Sequence, residues 1–223
     1  MRLAGREWRV LVGTVRLGRD SYRVVRPVRP LKHARLCEGY LGAHLSVDEV
    51  AAGDLAAAWW LAARSPHSLV YLPLRGGVAD CGEEYGGPRL DLVLLHHRVR
   101  FPVSRWKQVR ARLGPGRPHK VSLPVGALPG FGVEAYLRRY HRGFRDHLRW
   151  DVAADTLFLT GSRHAYELAG AQLRGLVEDC PAHLARQPGT HCCAEIDLGR
   201  GRARQDRRRP YAELHVQACN EHW

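Results

Sequence analysis

Polar and apolar positions alternate strictly in two segments near the C-terminus. The first is His191-Cys192-Cys193-Ala194-Glu195-Ile196-Asp197-Leu198 and the second is Tyr211-Ala212-Glu213-Leu214-His215-Val216-Gln217-Ala218-Cys219. A period of two places one set of side chains in a core and the other outside, so each segment predicts a half-buried strand and the pair predicts a hairpin. The polar set is unusual, because it collects His, Cys, Glu and Asp rather than Thr, Ser or Lys.

Further strands are expected over 8–14 and 22–28. The turn Leu17-Gly18-Arg19-Asp20 joins them, and Pro27 and Pro30 end the second. Short apolar runs over 68–74, 89–96, 120–124 and 156–160 read as strands. Ser46 and Glu49 form a capping box for a helix running to about Arg64, where Ser65-Pro66 stops it. Helices are also expected over 104–113, over 133–148, and over 163–179, the last capped by Ser162 and ended by Cys180-Pro181. Adjacent strand pairs interleaved with helices predict an α+β protein with largely antiparallel sheets. Its two packed halves, 1–125 and 126–223, meet in the Pro/Gly-rich stretch 124–132, and the second half ends in the hairpin with an Arg-rich loop.

A chain of 223 residues, 45% hydrophobic and 26% charged, can bury a full core. No apolar run approaches the ~20 residues that cross a bilayer, so no membrane partner is expected. The N-terminal residues carry no apolar signal region, which predicts a cytoplasmic protein with six reduced cysteines. One Met, one Asn, one Ile and three Lys are the residue usage of a GC-rich bacterial genome. That bias exchanges Lys for Arg but creates no charge.

The net charge is +13. It is concentrated in 1–35, in 98–120, which has six Arg and two Lys and no acid, and in 199–210. Separated basic blocks of this kind suit nucleic acid or another polyanion. The residues expected to make those contacts are Arg200, Arg202, Arg204, Arg207, Arg208 and Arg209 in the hairpin loop, with Arg105, Lys107 and Arg110.

The hairpin face carries the candidate chemistry. With its loop centred near Arg204, Cys193 faces His215, Glu195 faces Glu213 and Asp197 faces Tyr211. Opposed carboxylates repel unless a cation or a shared proton intervenes. Glu195, Asp197, Glu213 and His215 would hold a divalent metal through hard ligands and serve as the catalytic set. His191, Cys193, His215 and Cys219 are the alternative, a zinc set. A solvated sheet face whose acids pair with nearby Arg fits the same pattern. The leading expectation is a nucleic-acid-binding protein within a larger assembly. The alternatives are a metal-dependent phosphodiesterase or nuclease, and an interaction module for an acidic protein partner. The Gly-rich stretch 75–88 lacks the Gly-Lys-Ser/Thr of a P-loop.

Overall fold

The computed structural model describes residues 2–39, 42–77, 87–138, 141–187, 189–199 and 212–219. In chain order the elements are β1 (Glu7–Leu17), β2 (Asp20–Pro27), β3 (Ala34–Glu38), β4 (Gly42–Val47), α1 (Glu49–Arg64), β5 (Ser68–Leu72) and β6 (Arg89–His96). After them come α2 (Trp106–Ala111), β7 (Arg117–Ser122), α3 (Val133–Arg138), β8 (Arg149–Val152), β9 (Thr156–Gly161), α4 (Arg163–Glu178), α5 (Cys180–Arg186), β10 (Cys193–Leu198) and β11 (Ala212–Ala218). The fold is α+β, and the C-terminal hairpin is β10–β11.

One mixed sheet runs β10-β11-β4-β3-β6-β5-β2-β1-β7. Most pairings are antiparallel, with β4–β11, β2–β5 and β6–β9 parallel. The sheet forks at β6. Arg89 and Leu90 pair with β3, and the rest of the same strand pairs with β9. Strand β8 follows β9, and Leu148, just before β8, bridges Leu198 at the end of β10. The pairing therefore closes a ring through β6, β9, β8, β10, β11, β4 and β3.

The inner face of this ring packs on α1 and α4. Helix α1 is buried almost all round, which is why it is Ala-rich: Ala56, Ala57, Ala58 and Ala62 have no exposed surface. Trp59 lies in the core and donates its indole N–H to the Tyr166 carbonyl at 2.8 Å. Trp60 sits at the edge under the Arg64 guanidinium. On the outer face a second cluster of Phe101, Trp106, Val109 and Phe158 covers β5, β6 and β9. Burial on both faces explains the unbroken apolar runs of β5 and β6. Residues from 1–125 and 126–223 share one sheet and one core, since β11 lies beside β4 and β9 beside β6.

Several local expectations are corrected. The α1 N-cap is Asp48, whose Oδ1 accepts the Ala51 amide at 2.7 Å, while Ser46 belongs to β4. The helix expected over 133–148 ends at Arg138, and β8 follows it. Cys180-Pro181 opens α5 rather than simply ending α4, because proline is well suited to the first turn of a helix. Strands β3 and β4 have no counterpart in the sequence reading. The cysteines are not all reduced. Cys180 and Cys192 form a disulfide with Cα atoms 6.2 Å apart, and Cys219 is also disulfide-bonded. Among the described residues Cys37 and Cys193 are free thiols. Among the described residues, no helix is long and apolar enough to cross a membrane.

Candidate metal centre

The alternation of β10 and β11 divides their side chains as expected. Ala194, Ile196, Leu198, Leu214, Val216 and Ala218 enter the core, leaving Cys193, Glu195, Asp197, Glu213, His215 and Gln217 on the outer face. The register differs from the expected one by one residue pair. Glu195 faces His215, Asp197 faces Glu213, and Cys193 faces Gln217. A shift by an even number keeps every side chain on its face, so the polar set survives while its partners change. Tyr211 and the loop arginines Arg200, Arg202, Arg204, Arg207, Arg208 and Arg209 lie outside the described residues.

Strand β4 extends this face. His215 is level with His44 in the parallel pairing, and His44 is level with Cys37 on β3. A row of Glu195, His215, His44 and Cys37 thus crosses four strands. The rings of His44 and His215 stack at 5.0 Å, and that of His191 stacks on the other side of His215 at 5.3 Å. Ser46 Oγ is hydrogen-bonded to His44 Nε2 at 3.3 Å. Sequence reasoning missed His44 and Cys37 and read Ser46 as a helix cap, although Ala43-His44-Leu45-Ser46-Val47 alternates apolar and polar over its five residues.

The two nitrogens His191 Nε2 and His215 Nε2 are 3.2 Å apart. Two nitrogens each about 2.0–2.1 Å from one tetrahedral zinc lie about 3.3 Å apart. Cys193 completes a group whose ligand atoms all fall within 4.8 Å of one another, and Glu195, Glu213 and His215 form a second such group. The Glu213 carboxylate is 3.7 Å from His215 Nδ1, the ring nitrogen not directed at His191. That is the side from which a carboxylate orients a metal-binding imidazole. Asp197 belongs to neither group. Cys219 is oxidised, and a disulfide sulfur is not a thiolate ligand, so the four-residue zinc set is reduced to His191, Cys193 and His215.

Electrostatics follow from crowding. Burial, then the Glu195 and Asp197 charges, hold the Glu213 carboxyl above its ordinary range. Burial and the same two glutamates, Glu195 and Glu213, push the Cys193 thiol up. His215 is lowered by burial and by His191, against the opposing pull of Glu195. His44, more deeply placed, is lowered to about 4 by burial and by its two histidine neighbours. The disulfide at Cys192 ties the segment between His191 and Cys193 to α5.

The basic residues singled out on 98–120 take different roles. Arg110 is turned inward, where Nη1 donates to Asp91 Oδ2 at 3.2 Å and to the Ala154 carbonyl at 3.0 Å. Asp91 is buried and also accepts from Tyr71 Oη and the amides of Leu74 and Arg75. Arg110 is therefore a counter-ion of the core rather than a phosphate contact. Arg105 pairs with Asp20 and donates to Tyr22 Oη. Lys107 is exposed on α2. Ser162 is an N-cap, accepting from the Ala165 amide and donating to Asp146. His96 is buried and His97 exposed. No protein-family model, curated protein or solved structure matches the chain.

Proposed function

We propose that this chain is a zinc-dependent hydrolase acting on the phosphodiesters of a polyanion, nucleic acid first. The observation that carries the reading is the 3.2 Å approach of His191 Nε2 to His215 Nε2 with the Cys193 thiol in the same group. Mixed imidazole and thiolate donors suit zinc over magnesium or calcium. Zinc held by these three side chains would supply a bound water of lowered pKa. Glu195, paired with His215 across the hairpin, would be the residue to accept its proton. Glu213, 3.7 Å from the other ring nitrogen of His215, would orient the imidazole on closing to hydrogen-bond distance. The net charge of +13 supports a polyanionic substrate.

The test is metal analysis of untagged protein, with melting followed as zinc is added, and cleavage assays on single- and double-stranded DNA and RNA. Zinc bound at one equivalent, a raised midpoint and metal-dependent cleavage are expected, all lost in His215→Ala. No bound metal and no shift with zinc would end the reading.

The second reading is polyanion binding without chemistry, as part of an assembly. It is favoured by the cross-strand neighbours Arg9 and Lys120, both exposed at the β1–β7 edge. Binding that survives chelation, with no cleavage, distinguishes it. An acidic protein partner would reveal itself by binding acidic polypeptide in preference to nucleic acid.

A further inference from the structure

A second feature lies on the same outer face of the ring. Two hollows of about 310 and 360 Å³ adjoin where the turn after β6 packs against β2 and β8. Arg100 lines both. Arg23 and Arg98 line the first, and Arg149 lines the second. All four arginines are exposed, and none is held by a salt bridge among the described residues. They come from three separate parts of the chain, β2, the turn 97–100 and β8, which only the fold brings together. His67 adds to the first hollow and His97 to the second, and Tyr22 and Trp150 supply aromatic wall.

The acids that line these hollows are already engaged. Asp20 pairs with Arg105, and Asp151 Oδ1 accepts the Val152 amide at 3.0 Å. Arg100 is held at φ 49° and ψ 36°, in the left-handed region where a side chain is strained. Such strain is concentrated at functional sites. No salt bridge among the described residues holds these four guanidinium groups, and phosphates are the anions that guanidinium forks pair with bidentately. Aromatic surface between the cations suits bases or sugars.

The cleft also has a direction. Arg149 pairs with Thr160, and Thr160 with Leu95, so Arg149 continues the outer face of β6 and β9. Its neighbour Leu148 bridges Leu198, and both point into the core. Arg149 and Asp197 therefore flank the seam on one face, with Glu195 and Cys193 next along β10. We infer that Arg23, Arg98, Arg100 and Arg149 bind the phosphate backbone of a nucleic-acid strand and lead it toward the hairpin face. The destination rests on the proposed hydrolase; the cleft itself does not.

The experiment is fluorescence anisotropy with a labelled 20-nucleotide single strand and the corresponding duplex, in EDTA, over a range of salt. Wild type should bind at least one of them, with affinity falling steeply as salt rises. Replacing all four arginines by Gln should weaken binding at least 100-fold at low salt. It should also flatten the log–log slope by about 3, since each phosphate contact contributes about 0.7–0.9. Arg138→Gln with Arg142→Gln, two exposed arginines away from the cleft, is the control and should change affinity less than threefold. A circular dichroism melt close to wild type establishes that the fourfold variant is folded; Arg98→Gln with Arg149→Gln serves if it is not, with about half the effect. Unchanged affinity in the folded variant, or polyglutamate or inorganic polyphosphate competing as well as nucleic acid, overturns the inference. Zinc binding by the fourfold variant should be that of wild type, so failure of the cleft and failure of the metal centre are read separately.

Discussion

Asp197 and Glu213 face each other directly across the terminal hairpin, two carboxylates on one strand pair with Glu195 one step along. Like charges directly opposite destabilise a sheet. Asp197→Asn should therefore stabilise the metal-free protein by a few tenths to ~1 kcal/mol, or a rise of about 1–4 °C in midpoint for a chain of this size. Glu213 has its folded pKa raised by burial and by its two acidic neighbours. Its share of that penalty acts at neutral pH and is relieved as pH falls through the folded value toward the unfolded one. Melts in EDTA at pH 7 and pH 5 measure both effects; a lower midpoint for Asp197→Asn at pH 7 would show that the pair is not repulsive.

His44 makes the opposite pH prediction. Its folded pKa of about 4 lies below the ordinary 6.5 because burial and two histidine neighbours disfavour its charge. The unfolded chain binds the proton first, so stability is full above pH 6.5 and is lost as pH falls toward 4. At about 1.4 kcal/mol for each unit, the loss is of order 3 kcal/mol. His44→Gln should be less stable at pH 7 yet lose less between pH 7 and pH 4.5, as read by chemical denaturation at each pH. Parallel losses in both proteins would remove His44 as the titrating group.

Mass spectrometry of unreduced, alkylated digests should show Cys180 linked to Cys192. Cys37 and Cys193 should take the alkylating reagent once the chain is unfolded. The bridge spans 12 residues of sequence, and closing a loop of that size is worth about 3 kcal/mol in the chain-entropy account. Cys180→Ser should lower the midpoint accordingly and weaken zinc binding, because His191 is the residue immediately before the tether. Zinc affinity unaffected by loss of the bridge would mean that His191 needs no such anchoring.

Arg110 separates structure from recognition. Its removal leaves buried Asp91 one cationic partner short, although Arg75 Nε still donates at 3.1 Å. Arg110→Ala should cost ~1–3 kcal/mol of stability with nucleic-acid affinity unchanged when measured well below the midpoint. A loss of affinity without a loss of stability would return Arg110 to the binding surface.

The hairpin was legible because one of its faces is solvent-accessible, so the period of two is written directly into residues 192–198 and 212–218. That period fixes which face a residue takes but not its partner across the strand. Partner choice depends on the length of the connection, and the expected pairing of Glu195 with Glu213 missed by one pair for that reason. Strands β3 and β4 were hidden for a different reason. Ala43-His44-Leu45-Ser46-Val47 does alternate, but the run is short and Ser46 was read as the cap of the following helix, and with that reading went His44. The basic blocks were visible as charge, but composition does not distinguish Arg110, folded onto Asp91, from Arg98 and Arg100, left on the surface. The disulfides required knowledge of which cysteines the fold brings near each other.

Strand β11 lies between β4 and β10, parallel to one and antiparallel to the other. Its pairing with β4 joins residues about 170 positions apart, so it is among the longest-range contacts of the fold. A growing chain that has reached only Leu198 holds Cys193 and Glu195 but lacks His215. Any truncated product ending before residue 212 leaves the edges of β4 and β10 unpaired, open to aggregation or to a chaperone. The candidate metal site is consequently complete only once His215, the residue common to both ligand groups, has been made, and no fragment ending before it holds either group whole.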